Sequence, residues 1–334
     1  MVSNRQVRGL VSVALGILFL VGLVTTSYAA EKVTVRIVAA WAKAAQFETQ
    51  QFLDVIDTIQ KEANQKYPGQ LVLDYKGAGE VIPTQQQVEA LRTGMVDMIL
   101  TAASYYTSIM PEMDVLSLSN MMPWEERQAG VYDYLEKLHN AKANAHFLSR
   151  IGSGDLFHVF LAKPVQKSDD FKGMKIRVSP THLPFMKALG AEPVVTPPAE
   201  IYTAMERSVV VGYIQPVASI RTMGLLPVTK YMVRPGFYIP TVLVLTNLDF
   251  WKKLPPNLQT LLTEGMMKGE RTVMAAYQKK MQTELDAFQK AGVSFVQLSD
   301  SQKFSKMADD AMMETVLKKV PEEGKRLKEL VTKK

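Results

Sequence analysis

The 334-residue chain contains no cysteine and only four histidines, and these two scarcities remove much of the chemistry a protein of this length could perform. Without thiols there is no disulfide framework, no thiolate metal site and no lipid anchor on a processed N-terminal cysteine. His139, His146, His158 and His182 are scattered and never form an H-E-x-x-H pair, and neither a G-x-S-x-G elbow nor a P-loop occurs. Gly77-Ala78-Gly79-Glu80 lacks the third glycine of a dinucleotide fingerprint and reads as a turn. No cofactor and no metal is expected. Charge of one sign is also in short supply: the formal +6 falls to +4 once the first thirty residues, which hold Arg5 and Arg8 and no acid, are set aside. Lys318, Lys319, Lys325, Lys328, Lys333 and Lys334 gather near the C-terminus but are interleaved with Glu322, Glu323 and Glu329. That end reads as a solvated charged tail, and no nucleic-acid partner is expected.

The one long apolar run lies at the N-terminus. Arg5 and Arg8 precede an apolar stretch at 10–24, and Ser27-Tyr28-Ala29 resembles a cleavage site, so 1–30 reads as a secretory signal cut after Ala29 or Ala30. An uncleaved anchor is the alternative, disfavoured because the run is shorter than the ~20 residues a span usually needs. The remainder is long enough for two domains.

What is present is alternation of strands and helices. V-T-V-R-I-V-A at 33–39 predicts a strand, and Phe52, Val55, Ile56 and Ile59 give 47–65 a helical spacing. A strand at 71–75, a helix at 84–93 and a strand at 95–100 complete a β-α-β-α-β unit of the kind that builds a parallel sheet. A helix is expected at 125–138, with an apolar, aromatic loop at 117–124 before it. The run 171–216 repeats the pattern as strand, helix, strand, helix, strand, and places Arg177 at the end of the first strand. Open α/β sheets bind ligands outside the carboxyl ends of their strands, and a guanidinium presents a fixed fork of donors to a carboxylate. Beyond it come a helix at 217–224, strands at 231–233 and 239–246, and a long helix from Pro255 to about residue 291, where Gly292 stops it. Residues 91–99 can be laid on 205–213, each a helix end turning into an apolar strand; two similar lobes or coincidence would account for the echo.

Several spaced elements agree with one family. F-K-G-x-K-I-R at 171–177, F-x-K-A-L-G-A-x-P at 185–193, P-x-E-I-Y-T-A-M at 198–205 and V-V-x-G at 209–212 occur in the order found in the periplasmic solute-binding subunits of tripartite ATP-independent (TRAP) transporters, the DctP-like family. Val88-Glu89-Ala90-Leu91-Arg92 with Gly94, Pro111-Glu112 with Asp114-Val115-Leu116, and Phe250-Trp251 with Leu254-Pro255-Pro256 extend the resemblance over nearly the whole mature chain. It implies an α/β fold of two lobes with a ligand cleft between them and a long C-terminal helix bracing both. Lobe I would comprise 31–154 with roughly 241–280, and lobe II 155–240 with roughly 281–334, the helix at about 256–291 being shared. The implied function is to capture an organic carboxylate by hinge closure and deliver it to membrane permease subunits, as a periplasmic monomer and not an enzyme. A ligand-sensing protein that docks to a receptor, and a periplasmic hydrolase, are the alternatives.

By the same resemblance Arg177 is the carboxylate clamp. Gln215 stands where the family usually has asparagine, and Val211 and Ile214 replace two acids. Where relatives carry a second arginine this chain has Gly154-Asp155-Leu156-Phe157-His158, so Phe157 suggests an apolar wall; His158 either faces the site or packs. Trp41, Tyr105, Trp124, Tyr213, Phe237 and Tyr238 are candidate wall residues near strand ends, with core packing as the alternative for each. Glu80 and Gln87 are further polar candidates. Together they point to a monocarboxylate with an aromatic or hydrophobic body.

Overall fold

The alternating segment at 33–39 does form a strand, and the computed structural model, which describes residues 32–44, 46–152 and 155–332, shows what it organises. The expected signal at 1–30 lies outside the described residues. Strand β1 (Val33–Ala39) leads into helix α1 (Phe47–Lys66), which buries Phe52, Val55, Ile56 and Ile59 as their spacing requires. Strand β2 (Leu71–Gly77), helix α2 (Gln87–Arg92) and strand β3 (Met98–Ala102) follow, and β2, β1 and β3 pair in parallel. The helix expected at 125–138 is two, α3 (Pro123–Gln128) and α4 (Val131–Ala143), because Gly130 adopts a left-handed φ of +78° between them. The loop expected at 117–124 is shortened at both ends, by a 3-10 stretch, Pro111–Leu118, and by the start of α3 at Pro123. Strand β4 (Ala145–Arg150), which the sequence pattern did not reveal, closes this part of the chain.

The chain then crosses into a second sheet through β5 (Phe157–Leu161). The predicted alternation appears as β6 (Lys175–Val178), α5 (Leu183–Ala188), β7 (Glu192–Val195), α6 (Ile201–Glu206) and β8 (Gly212–Pro216). Gly212 is required by packing: a Cβ there would stand 2.4 Å from Leu161 Cδ2 and 2.7 Å from the Phe160 carbonyl oxygen. The helix expected at 217–224 is a single 3-10 turn, Val217–Ser219. After β9 (Tyr231–Arg234) the chain returns to the first sheet as β10 (Val242–Asn247), antiparallel to both β3 and β4. Helices α7 (Leu248–Lys253) and α8 (Pro256–Lys290), strand β11 (Ser294–Gln297), and helices α9 (Ser301–Leu317) and α10 (Pro321–Val331) complete the molecule. The strand orders are β2-β1-β3-β10-β4 and β11-β9-β5-β8-β6-β7.

Helix α8 has 35 residues and so runs about 50 Å, long enough to serve both lobes. Its first half lies against α1, where Gly265 and Gly269 sit under Ile59 and Val55. Its far end sends Phe288 into the core beneath the second sheet, edge-on to Phe160.

The C-terminal region corrects the expectation of a solvated tail. Phe304, Ala308, Met312 and Val316 recur every four residues and are buried, as are Leu327, Leu330 and Val331. Helix α9 packs on α5 and on 111–118, while α10 packs on 111–118 and α4. Amphipathic stripes had been masked by the lysines on their outer faces. The last helix therefore rests on elements drawn from the first half of the chain.

Candidate ligand-binding site

A cleft opens where strands from both sheets end. Its free volume of about 70 Å³ is several times the roughly 10–15 Å³ one water needs, room for a small molecule but not for a polymer. Trp41, Glu48 and Tyr105 line it from the first lobe, Phe157, His182 and Gln215 from the second, and the crossing segment at 239–242 forms part of the wall.

Arg177 stands directly behind that surface. Its position on β6, paired with Val194 and Tyr213, buries the side chain to 1% exposure. Nε and Nη2 donate to the Thr196 carbonyl at 2.9 and 2.5 Å, while Nη1 finds no hydrogen-bond partner among the described residues. Burial lowers its pKa from 12.5 to about 10, with Tyr105 and Glu200 acting in the opposite direction, so the guanidinium remains cationic near neutrality. A buried donor left bare costs about 1–3 kcal/mol, which a carboxylate oxygen would relieve.

The neighbouring polar groups are held in place by the fold. Trp41 donates from Nε1 to the Tyr105 hydroxyl at 2.9 Å, which leaves that hydroxyl proton available to a guest. Thr181, in the turn after β6, donates to Asp114 of the 111–118 stretch at 2.9 Å; burial raises Asp114 to about 6. Glu48 accepts from the Tyr277 hydroxyl at 2.7 Å through Oε1, its Oε2 is bare, and burial pushes its pKa up. Asp155, on the crossing segment, accepts from the Ala218 amide at 2.9 Å and is raised to about 7, chiefly by burial.

The sequence candidates divide sharply. Gln215, Phe157, Trp41 and Tyr105 come together at the cleft, and Arg177, though not itself part of the lining, interacts electrostatically with Tyr105. Tyr213 shares Gln215's face of β8 but lies two residues deeper along the strand, packed in the core, stacked 5.3 Å from Phe160 and bonded to Thr229. His158 follows Phe157 and therefore faces the opposite side of β5, where Nδ1 meets the Val233 carbonyl at 2.8 Å; burial lowers its pKa to about 4. Phe237 and Tyr238 form an aromatic layer behind His182. Trp124 is remote, its ring 4.4 Å from the Arg271 guanidinium. Glu80 accepts from the Ala78 amide at 2.8 Å and shapes the loop after β2. Gln87 is buried and ties the carbonyls of Ala39 and Ile82 together at 2.8 and 3.0 Å. Those polar pairs support the scaffold.

Glu48 and His182 escaped the sequence reading. A carboxylate at a helix start and a lone histidine carry no motif; what could have flagged them is that each closely follows the carboxyl end of a strand.

Two sheets, a crossing segment and a cleft with a buried arginine behind it define a two-lobed α/β ligand-binding protein. Residues 42–322 fit the profile of bacterial extracellular solute-binding proteins, family 7 (DctP), and the chain belongs to that family, that of the solute-binding subunits of TRAP transporters; these are binding proteins, not enzymes. It is 24% identical over 234 residues to the monocarboxylate 2-oxoacid-binding periplasmic protein of a Nostoc species, covering 66% of this chain and 63% of that one. It is 24% identical over 254 residues to the 2,3-diketo-L-gulonate-binding periplasmic protein of Escherichia coli, covering 73% and 76%. Among solved structures, the Desulfovibrio salexigens TRAP solute-binding protein with bound orotic acid superposes with a TM-score of 0.77 at 21% identity, covering 90% of this chain and 97% of that one. A Bordetella pertussis extracytoplasmic solute receptor binding pyroglutamic acid gives 0.77 at 17% identity, covering 90% and 100%. Among the described residues no helix is long and apolar enough to cross a membrane.

Proposed function

We propose that this chain is exported by residues 1–30 and captures a monocarboxylate with an apolar or aromatic body, delivering it to the membrane permease subunits of a TRAP transporter. The observation that carries the reading is the bare, buried Nη1 of Arg177 behind a cleft whose walls include Trp41, Tyr105 and Phe157. Oxoacid, orotate and pyroglutamate binding by relatives supports a small organic acid as ligand. Closure of two lobes must be driven by the ligand's differential contacts, and a desolvated guanidinium–carboxylate pair is a suitable source. Arg177→Ala is expected to reduce affinity at least about a hundredfold, the scale of losing a buried charge-assisted pair, with the circular dichroism spectrum unchanged. The ligand is to be identified by mass spectrometry of what denatured protein releases, then titrated calorimetrically. Unchanged affinity in the variant overturns the proposal.

A further inference from the structure

We propose that His182 reads a second polar group on the ligand, so that the cleft selects carboxylates bearing a neutral hydroxyl, carbonyl or amide close to the carboxylate. This rests on the carboxylate reading above and narrows it. The ring is 1% exposed and lines the cleft, yet neither Nδ1 nor Nε2 has a hydrogen-bond partner among the described residues. Leaving both unmatched in the liganded state would carry the full desolvation penalty of two buried polar atoms with nothing to offset it. The ring has little freedom to turn away: Phe157 meets it edge-on at 4.4 Å, Phe237 at 5.9 Å, and Tyr238 stacks at 6.1 Å. It ends the 3-10 turn that follows the strand of Arg177, and the two interact electrostatically. A guest whose carboxylate meets Nη1 thus presents its adjoining atoms to the imidazole.

The chemistry of the partner follows from charge. Burial, with the Arg177 cation beside it, lowers His182 to about 3, so one ring nitrogen donates and the other accepts. A neutral polar group complements that pair of roles; a second carboxylate does not. None of the described residues lining the cleft is lysine or arginine, and Glu48 faces it from the other lobe.

The test uses matched acids: butyrate, 2-hydroxybutyrate and 2-oxobutyrate; phenylacetate, mandelate and benzoylformate; and malonate. Wild-type protein is expected to bind the substituted member of at least one set about tenfold or more tighter than its unsubstituted parent and than malonate, one matched hydrogen bond being worth about that factor. His182→Phe, which keeps a ring in the aromatic cluster, is expected to retain carboxylate binding with that ratio reduced to about twofold or less. As a measurement independent of any variant, the imidazole nitrogen resonances of His182 in histidine-labelled wild type should move on adding the preferred acid and not its parent. Equal affinities within every set, or a preference that survives in His182→Phe, overturn the inference alone. Failure of every acid to bind overturns the carboxylate reading and this inference with it.

Discussion

Ser208 holds a left-handed φ of +55° where the corresponding residue of the first lobe, Gly94, holds +76°. The hydrogen bonds around them match: Gly94 N to Leu91 O and Met95 N to Ala90 O in one lobe, Ser208 N to Met205 O and Val209 N to Ala204 O in the other. A side chain in this conformation costs about 1–2 kcal/mol, partly offset in glycine by greater unfolded-state entropy. Ser208→Gly should therefore raise the melting temperature by about 1–3 °C in differential scanning calorimetry. Asp155 sets a pH dependence of definite sign. Its folded pKa, about 7, exceeds the ordinary aspartate value of 3.8, so the fold favours the protonated form, and stability is lost as pH rises from about 4 through 7. Asp155→Asn removes that loss: the variant and wild type should melt alike near pH 4, with the variant increasingly the more stable up to pH 8. At this scale the sequence placed Arg177 and Gln215 near strand ends, where the structure has them, because a strand end is visible in a periodic pattern. It could not separate Phe157 from His158 or Gln215 from Tyr213, since which face and which depth of a strand meet the crevice depends on partners far along the chain.

Helix packing shows a similar division. The stripe of α1 and the length of α8 were plain from spacing, but spacing is silent on Gly265 and Gly269, which by propensity alone weaken a helix. They are instead what lets α8 approach α1, since a Cβ at Gly269 would lie 2.6 Å from Val55 Cγ1, a stiff β-branched neighbour. Gly269→Ala is expected to destabilise by about 1–3 kcal/mol despite alanine's better helix propensity, measured by urea titration. The echo between 91–99 and 205–213 is also resolved at this level: both are helix ends closed by the same hydrogen-bond pattern before a buried strand. The edge strands β4 and β11 were not legible, whereas β6 and β7, no longer than they are, were framed by the strand-helix alternation around them.

Over the whole molecule, the two sheets and the long helix α8 were foreseen, and the packing of the last two helices was not. Burial of Leu327, Leu330 and Val331, with Lys142 bridging Glu112 and Glu323 at 2.8 and 3.4 Å, makes the last helix part of the first lobe's support. Deleting 321–334 should consequently yield aggregation-prone protein or a melting temperature lowered by many degrees; a tail lying in solvent would leave both soluble yield and melting unchanged.

The indole of Trp41, bonded to Tyr105 in the cleft, is a built-in optical reporter. The other two tryptophans are engaged elsewhere, Trp124 under Arg271 and Trp251 stacked on His146 at 4.0 Å, and provide a steady background emission. Ligand entry should quench or blue-shift the fluorescence through Trp41 alone, and Trp41→Phe should silence the signal. With no thiol in the chain, paired cysteines introduced one per lobe could then carry dyes to time closure against that emission change.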